Sequence, residues 1–229
     1  MVDQRRNFHQ ELESLELAVL DVVDRTERMV AMAVDSLVRS DIALVRRVEA
    51  EAADLGRRYF DDHARWINLM ARQGPMGGDL RLMSVLLHLN VTLERTSSQC
   101  VNIVELAELS VGLPGSDRIL QQIQEMGDLV RPMIRTAAQA FARRDADEAR
   151  LLPAMDEPVD RINRNMYREV VQCGSDPDRL EWATHMLMVA RALERIGDQA
   201  VDIAEQVVYL VTGEFLDFSD VEFESADGD

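Results

Sequence analysis

Leu193-Glu194-Arg195-Ile196-Gly197-Asp198-Gln199-Ala200-Val201-Asp202-Ile203-Ala204-Glu205 lies over Leu93-Glu94-Arg95-Thr96-Ser97-Ser98-Gln99-Cys100-Val101-Asn102-Ile103-Val104-Glu105 at an offset of 100 residues, with Leu, Glu, Arg, Gln, Val, Ile and Glu shared at matched places. In both copies the apolar residues recur at steps of three and four, the period of a helix with one buried face. Upstream, Arg39-Ser40-Asp41 matches Arg143-Arg144-Asp145 at an offset of 104. Self-similarity at so long a period means one structural unit built twice.

Each unit reads as three helices. In the first, Leu12, Leu15, Val19, Val22, Met29 and Ala33 mark one seam over residues 8–39, with Thr26 filling the missing step. Asp41 suits the N-cap of a second helix carrying Val45, Val48, Ala52, Leu55, Tyr59, Trp66 and Leu69, which Gly74-Pro75-Met76-Gly77-Gly78 ends. Asp79 is then the expected cap of a third. After Val111-Gly112-Leu113-Pro114-Gly115-Ser116 the pattern restarts. A fourth helix runs through Ile119 to Ala140, a fifth starts from Asp145, and a sixth runs from about Leu180 to Thr212 with Gly213 as a left-handed C-cap. The expected fold is all-α: two tandem, sequence-related antiparallel three-helix bundles over 8–112 and 113–213, followed by an acidic, disordered tail over 214–229.

Composition agrees with long helices. The 229 residues are 47% hydrophobic yet only 5% aromatic, with 11 Gly and 6 Pro, too few turn formers for an all-β chain. Acids number 42 against 25 basic residues, and every one of those 25 is arginine. A formal charge of −17 repels nucleic acid and anionic lipid. The start lacks an apolar signal core and no stretch has the ~20 apolar residues of a span, so a cytoplasmic protein without membrane insertion is expected. Cys100 and Cys173 fall in apolar helical patterns and read as buried thiols.

Chemistry concentrates on the sixth helix. Glu194, Asp198 and Asp202 stand at i, i+4 and i+8 on one face, where like charges repel by a few tenths of a kcal/mol per pair. Arg191 and Arg195 could answer them on a solvated face. Alternatively a hard cation or iron could, since such metals take clustered oxygen ligands. With a turn near Ser175, Asp156 lies as far before it as Glu194 lies after, and Asp156 and Asp160 form a second acid pair on the facing helix. Pro153 and Pro158 are expected to bend that helix. The first half lacks this set: Ser98 and Asn102 replace two acids, and Arg58 is level with Glu94, so an Arg58–Glu94 ion pair is expected there. Asp54, level with Ser98, leaves a weaker second site open.

No phosphate loop, lysine nucleophile or E-x-x-H spacing is present, and His9, His63, His88 and His185 read as ordinary surface or core residues. A non-enzymatic protein is expected. Hydrolysis by a bound metal ranks behind it.

The sixth-helix stretch, continued by Val208-Tyr209-Leu210-Val211-Thr212-Gly213-Glu214, closely resembles the PhoU family of phosphate-signalling regulators, and Pro75 with Asp79-Leu80-Arg81 and Glu94-Arg95 resembles its first repeat. The resemblance spans about residues 8 to 214. It implies a cytoplasmic homodimer that negatively regulates phosphate uptake and starvation signalling, linking the ATPase subunit of a phosphate ABC transporter to a sensor histidine kinase. It also implies a bound metal ion or multinuclear cluster, iron or zinc first and manganese, nickel or magnesium after them. On that resemblance Glu194, Asp198, Asp202, Asp156 and Asp160 are the metal ligands, while Ser98 breaks the pattern in the first repeat. A structural or metal-storing bundle without signalling partners is the alternative.

Overall fold

A computed structural model describes residues 2–218; the tail beyond, 219–229, lies outside the described residues. The elements are α1 (Val2–Val38), α2 (Ile42–Gln73), α3 (Gly78–Leu109), α4 (Asp117–Arg143), α5 (Ala146–Ala149), α6 (Leu152–Gln172) and α7 (Pro177–Thr212). The α1 seam buries as its spacing requires. Met29 and Ala33 are fully enclosed, and so is Thr26, whose hydroxyl donates to the Val22 carbonyl at 2.8 Å and so leaves no unpaired polar group in the seam.

The helix ends follow local chemistry. The Asp41 carboxylate accepts from the Ala43 N–H, Asp145 from Asp147 and Glu148, and Asp176 from Asp178 and Arg179. Gly74 and Gly213 close α2 and α7 in the left-handed conformation. Two expectations are corrected. Asp79 does not cap α3, whose N-cap is Gly77; it sits in the first turn, where its charge favours the helix dipole. The fifth helix is not continuous from Asp145. The chain breaks at Arg150 and Leu151, and Pro153 stands at the start of α6, where its missing N–H costs nothing. Only Pro158 interrupts the ladder of α6 itself.

α1, α2 and α3 form one three-helix bundle, and α4, α6 and α7 the other. The halves are joined side by side, α3 along α7 and α1 along α4. His88 Nε2 lies 2.8 Å from Asp202, and Ser110 Oγ lies 3.1 Å from His185 Nδ1, so α3 and α7 run antiparallel. With the offset of 100, this makes an approximate twofold that relates the halves and passes near Thr96 and Ile196, both buried in the seam.

The α1–α4 seam closes over Gly127. A Cβ there would lie 2.9 Å from Val34 Cγ2 and 3.2 Å from its Cγ1, and a β-branched neighbour has little freedom to turn away. Gly127→Ala is therefore expected to lose about 1–2 kcal/mol despite the better helix former, lowering Tm by roughly 2–8 °C. Thermal unfolding by circular dichroism checks this, and Val34→Ala should relieve part of the loss in the double variant.

The expected disorder from residue 214 does not hold for its first part. Phe215 stacks on Tyr209 with ring centroids 3.9 Å apart, and the backbone N–H of buried Phe218 donates to Glu205 Oε1 at 2.8 Å. Both cysteines are buried and unbridged, and burial pushes the Cys100 thiol up to about 12.

Candidate metal centre

α6 and α7 lie side by side, and their facing acids meet. One carboxylate oxygen each from Asp156, Asp160 and Asp198 falls within a span of 4.8 Å. Asp198 stands at the exposed edge of the group, while Asp156 and Asp160 lie deeper. Glu194, almost wholly buried, flanks the group from one turn before Asp198.

The environment is costly for so much negative charge. Burial first, and then the neighbouring Asp160, Asp198 and Glu194 charges, push Asp156 up to about 7. Glu194 and Asp198 are also raised, chiefly by burial and then by the acids beside them. Arginine answers only part of this. Arg191 Nη1 lies 2.5 Å from Glu194 Oε1, and Arg164 reaches Glu157 at 2.8 Å and Asp160 at 3.4 Å. Two buried oxygens, Asp156 Oδ1 and Glu194 Oε2, have no hydrogen-bond partner. Arg195 makes no ion pair among the described residues.

Gly197 explains how Asp156 reaches its place. A Cβ at Gly197 would collide with Asp156 Oδ1, so the carboxylate rests against bare helix backbone. Asp156 thus sits opposite Gly197 rather than Glu194, three residues further along α7 than Cα heights predict. Helical side chains lean toward their own N-terminus, so on antiparallel helices the carboxylates pass each other before they meet.

Asp202 does not join the cluster. It turns to the other bundle, where His88 Nε2 approaches its oxygens at 2.8 and 2.9 Å and Thr92 Oγ1 donates at 2.9 Å. Burial alone would raise Asp202, but these bonds and the His88 charge hold it below its ordinary value; the same bond raises His88. His88, expected as an ordinary surface or core residue, is therefore a specific inter-bundle partner. Its pairing with α7 depends on how the bundles dock, which its local sequence does not carry.

The first half is arranged differently from expectation. Arg58 pairs with Asp21 at 2.5 Å and Asp62 at 3.6 Å, not with Glu94, because α1 supplies an acid on the near side. Asp54 is already engaged by Arg25 and Arg57 at 2.6 and 2.9 Å, and their hydrogen bonds hold it below its usual range. Arg25 also bonds Glu51 at 2.6 Å. Glu94 accepts from the Ser98 hydroxyl at 3.3 Å. Guanidinium groups complete Asp21, Glu51, Asp54 and Asp62, and a hydroxyl reaches Glu94, whereas the second half leaves buried oxygens open.

The second-half donors suit a hard or borderline cation: all-oxygen, clustered, partly dehydrated and short of positive charge. Asp156, Asp160 and Asp198 would hold it, with Glu194 alongside. Such an ion supplies charge that neutralises the group when bound.

The PhoU domain family matches residues 19–107 and 123–207, one match on each bundle. The phosphate-specific transport system accessory protein PhoU homolog of Pseudomonas putida is 31% identical over 209 residues, covering 91% of this chain and 82% of the relative. A homologue of the same description from Methanothermobacter thermautotrophicus is 27% identical, covering 90% and 95%. Among solved structures, the crystal structure of PhoU from Pseudomonas aeruginosa superposes with a TM-score of 0.86 at 30% identity, covering 90% of this chain and all of that one.

Proposed function

The chain belongs to the PhoU family of non-catalytic regulatory proteins, and from that premise we propose that it is a negative regulator of phosphate uptake and phosphate-starvation signalling. It acts in the cytoplasm, as a homodimer, as a metal-binding adaptor between the ATPase subunit of a phosphate ABC transporter and a sensor histidine kinase. No helix among the described residues is long and apolar enough to cross a membrane, so contact with membrane-bound partners falls to its helical faces.

The observation that carries the metal-binding part is the pair of orphaned buried oxygens, Asp156 Oδ1 and Glu194 Oε2, beside the three clustered aspartates. A buried carboxylate without partners is expensive unless something positive completes it. One cation between α6 and α7 would tie those two helices together and stiffen a face that partners read. Since Asp156 titrates near 7, binding at lower pH must expel its proton, and affinity falls as the medium is acidified below that point.

Affinity capture of the tagged protein from cells grown with and without phosphate tests the adaptor role. The transporter ATPase and the kinase are both expected, in proportions that change with phosphate. Recovery of neither in either medium refutes it.

A further inference from the structure

The approximate twofold produces the same groove between α3 and α7 twice. At one copy the matching positions are His88, Arg95, Asp202, Glu205 and Tyr209, and the chain's own C-terminal segment lies against it at Tyr209 and Glu205. There Phe215 stacks on Tyr209 and the Phe218 N–H bonds Glu205. Subtracting or adding the offset of 100 gives the other copy, which is a groove of about 490 Å³ lined by Asn102, Glu105, Leu109, Met188, Arg191 and Arg195. The chain after α3 does not fold back over it. That linker runs instead to the second bundle, where Gly115 lies against Trp182.

The open copy keeps the elements that hold the segment in the filled one. Glu105, matched to Glu205, is exposed, and its carboxylate has no hydrogen bond or ion pair among the described residues. Leu109, matched to Tyr209, leaves 64% of its surface exposed, and Met188, matched to His88, leaves 55%. The charge differs: Arg191 stands where the filled copy has Val91, Arg195 corresponds to Arg95, and neutral Asn102 replaces Asp202. The open copy thus carries one more arginine and one fewer carboxylate than a groove that already accepts aromatic residues interleaved with an acid, though it lacks the His88 imidazole and its Arg191 also bonds Glu194.

We infer that this open groove docks a short acidic segment of a partner protein carrying aromatic side chains, held as the matching groove holds residues 215–218. Aromatic rings would seat on Leu109 and Met188, a backbone N–H would meet Glu105, and flanking carboxylates would meet Arg191 and Arg195. This inference stands apart from the phosphate reading, since it rests on the two grooves alone.

The probe is a fluorescein-labelled synthetic peptide with the sequence of residues 213–224, titrated with the full chain and read by anisotropy. Saturable binding is expected, weakened at least tenfold by Leu109→Asp and by Arg195→Glu, two exposed positions whose variants keep the helical spectrum. The same peptide with its three phenylalanines replaced by alanine should not bind. The inference is overturned by no binding to the full chain, or by equal binding of the alanine peptide, which means charge alone. It is also overturned if binding is abolished by Tyr209→Ala but untouched by Leu109→Asp, which means exchange into the filled groove. Sedimentation that shows self-association removed by Leu109→Asp would assign the groove to a second copy and likewise refute it.

Discussion

Asp156→Asn raises the unfolding temperature of the metal-free protein at pH 8 and abolishes the stabilisation that metal gives the parent chain. In the folded state Asp156 holds its proton to about 7, against an ordinary value of 3.8. A carboxyl raised on folding contributes its full stability below the unfolded value and loses it as pH rises through the folded one. The metal-free parent therefore weakens between about pH 4 and pH 7, by an amount on the order of 1–3 kcal/mol at completion, since water reaches part of this carboxyl and screens it. The asparagine has the shape of the protonated acid and never ionises, so across that window the variant loses only what Glu194 and Asp198, also raised, take from it. At pH 8 the variant should unfold roughly 2–12 °C higher, using the few degrees per kcal/mol typical of this chain length. With metal in excess the order reverses, because the parent gains from binding and the variant has lost a charged ligand. Differential scanning calorimetry at several pH values, with chelator and with iron or zinc, measures both. A lower unfolding temperature for the chelated variant at pH 8, or an undiminished metal effect, contradicts the assignment.

Gly197→Ala should remove metal binding while leaving the fold in place. The added methyl takes the space of Asp156 Oδ1, and that oxygen ends a short, rotatable side chain that can swing aside. The helix itself gains up to about 1 kcal/mol from replacing glycine by alanine. Chelated Gly197→Ala is thus expected within about 1 kcal/mol of the parent, since the new methyl meets Met133 at an ordinary 3.6 Å and relief of Asp156 from its buried place offsets the cost of turning it aside. Metal affinity should fall by a hundredfold or more, because the three-oxygen arrangement depends on where Asp156 rests. Isothermal titration with zinc at pH 7.5 reads the affinity, and chemical denaturation reads the stability. Unchanged affinity would show that Asp156 is no ligand.

The helices and their duplication were legible because each long element buries one stripe, and burial imposes the period of three and four on the sequence. Even the odd residue in the first stripe, Thr26, is found where the period puts it, satisfied by its own helix. The cluster was legible only in part. Asp156, Asp160, Asp198 and Glu194 do converge on one hairpin, but Cα heights paired Asp156 with Glu194, since they omit the lean of side chains toward the N-terminus. Asp202 stands on the same stripe and was lost to the other bundle. Its partners lie 110 or more residues away in sequence, and only the docking of α3 on α7 brings them near. The Arg58–Glu94 pair failed for a similar reason. A height argument within one hairpin cannot see that α1 offers Asp21 to the same guanidinium.

Arg191 belongs to two neighbourhoods at once: its guanidinium bonds Glu194 beside the aspartate cluster, and its side chain lines the open groove. One cation divided between two anionic claims is a thermodynamic lever. A carboxylate arriving in the groove draws Arg191 from Glu194 and leaves the cluster needing its metal more; a metal arriving in the cluster frees Arg191 for the groove. By reciprocity, the factor by which either occupant strengthens the other must be identical in both directions. The two sites would then be positively linked through a side chain on one helix, without any rearrangement of the bundles.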